Sequence, residues 1–258
     1  MTRHLTLAIT DHRAVTPQLR WLTLAAPELS RSIRAGQYLL LRCGDAEAAA
    51  PALRRPLFLA AAQPTLGQIA LLYAPDDDAG LRWLARAQPG DIVDAIGPLG
   101  RPFALDSRSR TLLLLGEGQG IAPLLPLAAD VLSRGGSVTL LATAASAALL
   151  PPAFLLPEAI EYESAVGDPL ALLRAGDSRG RMLWADQLCA ALAAEQIAPL
   201  RDLVRAAKLR WDRRFAAMLP HSRALCGVGA CGLCPIATRD GVKLACSDGP
   251  VFDLRDLE

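Results

Sequence analysis

Long apolar runs are missing from this chain of 258 residues. Stretches such as 112–115 are far shorter than the about 20 apolar residues that span a bilayer, so no membrane partner is expected. The opening residues, Met1 to Asp11, hold no signal-peptide core and read as a first strand. With six cysteines and no export signal, the expected compartment is the reducing cytoplasm. Charge of one sign is lacking too. The 27 basic and 26 acidic residues leave a net charge of +1, and the arginines are scattered, which excludes a nucleic-acid surface. Histidine is scarce: His4, His12 and His221 are not spaced as metal ligands and read as surface residues. No Ser/His/Asp or Cys/His catalytic arrangement is present, and no repeat or low-complexity linker. What is there is a 52% hydrophobic composition, and length for two medium domains and a small module.

Four of the six cysteines fall in one short region. Cys226, Cys231 and Cys234 are spaced C-x4-C-x2-C, and Cys246 follows after eleven residues. Iron–sulfur clusters take four thiolates, and C-x4-C-x2-C is the spacing of plant-type [2Fe–2S] loops. Three ligands within nine residues force the backbone to wrap tightly. Gly227, Gly229 and Gly232 supply that freedom and let amide N–H groups approach the sulfurs. A zinc site usually brings two C-x2-C pairs, and only one is present. Zinc and unliganded thiols stay as the alternatives. Cys43 and Cys189 read as small buried hydrophobes.

The run from Leu225 to Cys234, followed by Ala245-Cys246-Ser247-Asp248-Gly249-Pro250-Val251-Phe252, resembles the C-terminus of a known family. That family is the electron-transfer subunit of the two-subunit, NAD-linked dihydroorotate dehydrogenase, within the ferredoxin reductase superfamily. The resemblance implies a flavin-binding-type antiparallel β-barrel over 1–104, a doubly wound nucleotide-binding-type α/β domain over 105–207, and a [2Fe–2S] module over 208–258. It also implies an electron path from a flavin on a dihydroorotate dehydrogenase catalytic subunit to the cluster, then FAD, then NAD. That path belongs to pyrimidine biosynthesis. Two such subunit pairs would assemble as a heterotetramer.

The chain order agrees with those parts. Segments 5–9, 20–24, 37–42, 55–59, 68–73 and 92–96 read as short strands with turns between them, which suggests a closed barrel. Residues 80–88 read as a short helix, and Asp76-Asp77-Asp78 as a solvated turn or cap before it. Residues 111–115 form a fully apolar strand of the kind buried on both faces. A helix is expected over 121–134, strands over 137–143, 160–165 and 181–184, and helices over 168–175 and 187–207. Residues 208–215 read as a lead-in strand, and 234–245 as a hairpin turning at Asp240-Gly241.

Gly36-Gln37-Tyr38 resembles the superfamily's strand start, and Arg55-Pro56-Leu57-Phe58 its Arg-x-(Tyr or aliphatic)-Ser flavin strand. Arg55 keeps the charge that would meet a pyrophosphate. Phe58 stands where the family's serine meets the flavin ring. Leu72-Tyr73-Ala74 matches a Leu-Tyr-Arg segment, and Gly80-Leu81 a Gly-Thr helix start. Three polar contacts are thus replaced, each worth about 1.5–3 kcal/mol when charge-assisted. Two readings follow: FAD held through Arg55 and backbone groups, or a barrel without flavin. NAD is doubtful. Glu117 and Gln119 interrupt the glycine turn 116–120, and Leu183-Trp184-Ala185-Asp186-Gln187 lacks the family's Cys-Gly-Pro.

Overall fold

The computed structural model describes residues 2–45, 53–75 and 78–258. Six strands close an antiparallel barrel in the order β1-β2-β5-β4-β3-β6. They are β1 (Arg3–Ala14), β2 (Arg20–Ala25), β3 (Tyr38–Leu41), β4 (Arg55–Gln63), β5 (Gln68–Tyr73) and β6 (Ile92–Leu99). Alternation drives the closure. Leu7 and Ile9, Leu22 and Leu24, and Ile69, Leu71 and Tyr73 point into one buried cluster. Helix α1 (Pro27–Ser32) follows β2, and α2 (Ala79–Leu84) follows β5. Helix α2 is shorter than the expected 80–88 segment and is capped by Asp78, whose side chain accepts from the Leu81 N–H. Asp76 and Asp77 lie outside the described residues.

The second layer is a six-stranded sheet. Strands β7 (Thr111–Glu117), β8 (Ser137–Ala144), β9 (Ile160–Val166), β10 (Gln187–Leu192) and β11 (Ala216–Pro220) are parallel. After them come a hairpin, β12 (Pro235–Thr238) and β13 (Gly241–Leu244), and then β14 (Phe252–Asp253). Strand β14 pairs antiparallel with β11, giving the sheet order β14-β11-β10-β7-β8-β9. The sheet therefore draws two strands from the segment after residue 207. The helices are α3 (Leu125–Ser133), α4 (Ala171–Ala175), α5 (Ser178–Trp184), α6 (Ile197–Ala207) and α7 (Ala245–Asp248). One sheet face packs with α3 and with barrel residues Ala60, Leu72 and Phe103. The other packs with Leu200 and Val204 of α6, and this core continues through Tyr38 and Leu40 of the barrel to Cys234 and Cys246.

Several elements differ from the sequence expectation. Residues 187–192, expected to be helical, are the strand β10 between β7 and β11. Gln187-Leu188-Cys189-Ala190-Ala191-Leu192 favours a helix by propensity, but it is buried along its whole length, and a short apolar run carries no period to tell the two apart. Residues 181–184, expected to be a strand, end α5, which Asp177 caps by accepting from Gly180 N–H at 2.8 Å. Residues 118–124 form a 3-10 turn, so the expected 121–134 helix begins at Leu125. The strand near 208–215 starts only at Ala216.

Candidate functional site

Strand β11 ends at Pro220, and the cysteine loop then crosses onto the barrel. Gly227 sits against it. A Cβ there would stand 2.8 Å from Leu99 Cδ1 and 3.0 Å from Leu40 Cδ1. Gly227, Gly229 and Gly232 hold φ of 73°, 75° and 68°, the left-handed region that a tight wrap requires. The β12–β13 hairpin returns the chain to the loop, where the Ala245 N–H donates to the Cys234 carbonyl at 2.9 Å. Gly229 N–H donates to Cys246 Sγ at 3.2 Å, and Cys246 N–H to Cys234 Sγ at 3.4 Å. Cys234 and Cys246 are buried, Cys226 is half-buried and Cys231 is exposed.

Amide donors around sulfur favour the thiolate. The Val228 and Cys231 N–H groups pull the Cys226 thiol down to about 6. Burial, then the neighbouring Cys234, pushes Cys246 up to about 12. That proton would leave when a metal binds. Among the described residues no three Cys, His, Asp or Glu side chains converge as a single-ion site requires. Four thiols with amide N–H groups directed at sulfur are a donor set that fits an iron–sulfur cluster. Cys43 and Cys189 lie apart from this loop in two other cores, and burial pushes both thiols up to about 12.

A cleft of about 420 Å³ opens between barrel and sheet. Its walls are Pro56 and Phe58 of β4, Glu117 at the end of β7 with Gly118 to Gly120 after it, Ala144 and Ala145 at the end of β8, and His221 after β11. This is the carboxyl edge of the parallel strands, where open α/β sheets bind ligands. Strand order reverses between β7 and β10, with β8 and β9 on one side and β11 on the other, and Glu117 spans that point: its Oε2 accepts from Ala193 N–H at 3.0 Å. Gly120 is equally confined, since a Cβ there would lie 2.5 Å from both Ala191 O and His221 Nε2.

Of the residues matched to flavin contacts, only Pro56 and Phe58 line this cleft. Leu57, Leu72, Tyr73, Ala74, Gly80 and Leu81 are buried. The Tyr73 hydroxyl is taken by His12 Nε2 at 3.0 Å, so His12 is a half-buried partner and not the surface residue expected. Phe58 packs on the Tyr38 ring, centroids 5.3 Å apart. Arg55 does not present a free guanidinium. Its Nε lies 2.9 Å and 3.0 Å from the two Asp78 oxygens, and its Nη1 donates to Leu53 O. Burial alone would raise the Asp78 pKa, but the Leu81 N–H and Arg55 hold it below the ordinary carboxylate range. Arg54 pairs with Asp94. The residues present do not fit a flavin pyrophosphate: a carboxylate of the chain already stands on its arginine.

The stretch 183–187 is not a nicotinamide-side turn. It lies at the opposite edge of the sheet, where Asp186 accepts from the Arg110 and Thr111 N–H groups at 2.7 and 3.0 Å. The chain that does follow the carboxyl end of β10 is Ala193-Ala194-Glu195. The displacement follows from reading β10 as helix. Sequence reasoning placed Asp78 in a turn or cap and His221 on the surface without joining either to a site, and it did not single out the hydroxyl of Tyr38. Only Asp78 carried a signal, an aspartate at the N-cap position before a short helix.

Residues 221–258 match the model of the iron–sulfur cluster binding domain of dihydroorotate dehydrogenase B. The chain is 30% identical over 257 residues to the dihydroorotate dehydrogenase B (NAD(+)) electron transfer subunit of Geobacillus thermodenitrificans (strain NG80-2), covering 95% of each. It is 30% identical over 258 residues to the subunit of the same name from Bacillus caldolyticus, again covering 95% of each. Among solved structures, the NADH-dependent reduced ferredoxin-NADP oxidoreductase aligns with a TM-score of 0.76 and 21% identity, over 98% of this chain and 89% of that one. An Amycolatopsis cytochrome P450 reductase aligns at 0.63 and 21%, over 85% and 70%. These place the barrel and sheet in the ferredoxin reductase-like fold. With a relative at 30% identity along nearly its whole length, the chain belongs to the family of dihydroorotate dehydrogenase B electron transfer subunits.

Proposed function

We propose that this chain relays single electrons between a flavin-containing dihydroorotate dehydrogenase catalytic subunit and a downstream acceptor, in cytoplasmic pyrimidine biosynthesis. The observation that carries the reading is the cysteine loop, with its left-handed glycines and amide donors aimed at sulfur. In this reading Cys226, Cys231, Cys234 and Cys246 ligate a [2Fe–2S] cluster, which when bound supplies one-electron redox chemistry. The remaining residues hold the thiolates and exclude water. Residues 1–104 act as the barrel scaffold, 105–207 as the α/β layer, and 208–258 as the cluster module that lends β11 and β14 to the sheet. Beside the ligands, Val228 and Leu233 are 69% and 54% exposed and offer an apolar surface to the partner. The assembly is two such pairs.

The Arg55–Asp78 pair favours a second statement about the cofactor set: FAD is not held here in the superfamily's manner, and the relay relies on the cluster alone. Natively purified protein tests both. About two irons and two sulfides per chain, with the visible bands of a [2Fe–2S] centre and a co-purifying flavoprotein, is the expected result. Zinc in place of iron would defeat the relay. Stoichiometric FAD bound to the isolated chain would defeat the second statement only.

A further inference from the structure

Tyr38 begins β3 and is fully buried, yet its hydroxyl has no hydrogen-bond partner among the described residues. A buried donor left unpaired loses its bonds to water without replacement, so such a group calls for an explanation. Its surroundings are specific. The ring is boxed by Phe58 on one side and by Gly100, where an added Cβ would stand 3.1 Å from Tyr38 Cε1. The cysteine loop packs on the same patch of barrel, with Gly227 on Leu40 and Leu99. Tyr38, Leu40, Leu99, Cys234 and Cys246 share one core, with Cys226 packed against it. Burial, then the charges of Cys246, Cys234 and Cys226, raises the phenol's pKa, so the group stays a neutral O–H donor at neutral pH. No other described side chain supplies an acceptor. The cysteine sulfurs of the same core stand beyond its reach, so the acceptor falls to a sulfide that a cluster would bring beside them.

We infer that the Tyr38 hydroxyl donates a hydrogen bond to a sulfur of the cluster held by Cys226, Cys231, Cys234 and Cys246, and thereby raises its reduction potential. The inference rests on the iron–sulfur reading of the loop. Reduction adds one negative charge to the centre, and a donor directed at sulfur stabilises that charge more than it stabilises the oxidised form. Tyr38 acts as a positioning and tuning residue: it keeps its proton and transfers no electron.

Tyr38→Phe removes one oxygen and leaves the ring that packs on Phe58. The measurement is the midpoint potential of the cluster in the purified complex, by redox titration followed by electron paramagnetic resonance. The expected result is unchanged iron and sulfide content with reduction about tenfold less favourable, about 59 mV lower for one electron. After exchange into D2O, deuterium coupling to the reduced centre should also weaken in the variant. Fluorotyrosine at position 38, a stronger donor of the same shape, should shift the potential upward, and it serves if Tyr38→Phe folds poorly. An unchanged potential in both forms overturns the inference. Iron-free native protein overturns the cluster assignment beneath it, which iron analysis tells apart.

Discussion

The Arg55 guanidinium rests on the Asp78 carboxylate, Nε to Oδ1 at 2.9 Å and to Oδ2 at 3.0 Å, while that carboxylate also caps α2 through Leu81 N–H at 2.9 Å. A helix start beside an arginine is a ready anion site. Here the anion is supplied by the chain. A flavin pyrophosphate would have to displace it. Phe58 adds the bulk of its ring to the wall of the cleft.

The combined change Asp78→Ala with Phe58→Ser is therefore expected to strengthen FAD binding about tenfold or more, since one charge-assisted bond is worth about 1.5–3 kcal/mol. The same change removes an N-cap and should lower stability by about 1 kcal/mol, read as a lower Tm. Fluorescence titration with FAD checks the first effect. Equal affinity in native and doubly substituted protein would remove the Asp78 argument.

The cysteines divide into two classes. Serine at 226, 231, 234 or 246 should abolish or badly perturb the cluster spectrum. Serine at 43 or 189 should leave it intact, because those thiols lie in separate cores. Iron content that stays at the native level in Cys231→Ser would refute the ligand set.

Much of this was legible from local pattern. The C-x4-C-x2-C spacing located the metal loop, and period-two alternation gave the barrel strands, with 68–73 matching β5 at both ends. The failures have a common cause. Strand β10 is alanine-rich and buried on both faces, so nothing in its sequence states a period, and its identity is fixed by β7 and β11 on either side. Misreading it moved the expected nicotinamide-side turn to the wrong edge of the sheet. The Arg55–Asp78 pair joins two segments 23 residues apart, and the burial of the Tyr38 hydroxyl away from any partner among the described residues likewise comes from tertiary packing.

Glu117 offers a test of the cleft. Its carboxylate accepts from Ala193 N–H, so glycine there would remove a tie between β7 and β10 along with the charge. Glu117→Gln keeps an acceptor and removes only the charge. If repulsion opposes a dinucleotide, NADH affinity should rise by an amount on the order of 1 kcal/mol. Calorimetry checks it, and micromolar binding by native protein would show that the charge is no obstacle.

His12 gives a pH dependence. Its Nδ1–H donates to Ala87 O at 2.7 Å, which leaves Nε2 to accept from the Tyr73 hydroxyl. Burial, aided by Arg20, lowers its pKa below the ordinary 6.5 against the raising effect of Ala87 O and Asp11. The unfolded chain then binds the proton more readily than the folded one. Stability from this group is complete above 6.5 and falls as pH drops from 6.5 toward the lowered folded value. Denaturant unfolding between pH 7.5 and about 5.5 should show a decline that His12→Gln flattens. Parallel curves for the two proteins would place the titration elsewhere.

The last expectation concerns docking. A one-electron carrier must bring its centre close to its donor, and Cys231, one of the four proposed ligands, lies at the surface. Around it, Val228 and Leu233 leave apolar surface in water, while Leu225 is half-buried. Val228 lies between two glycines of positive φ, and its side chain is solvent-facing, so a change there alters the rim without touching a ligand. Val228→Glu should leave the cluster spectrum and iron content at native values. It should weaken association with the catalytic subunit by about 2 kcal/mol, roughly thirtyfold in Kd, because a charge must be desolvated at the contact. Electron delivery at limiting partner concentration should fall in proportion and recover at saturation. That recovery separates lost docking from a damaged centre. If Val228→Glu binds the partner with native affinity, the apolar rim serves only to shield the cluster from water, and the docking surface lies on another face.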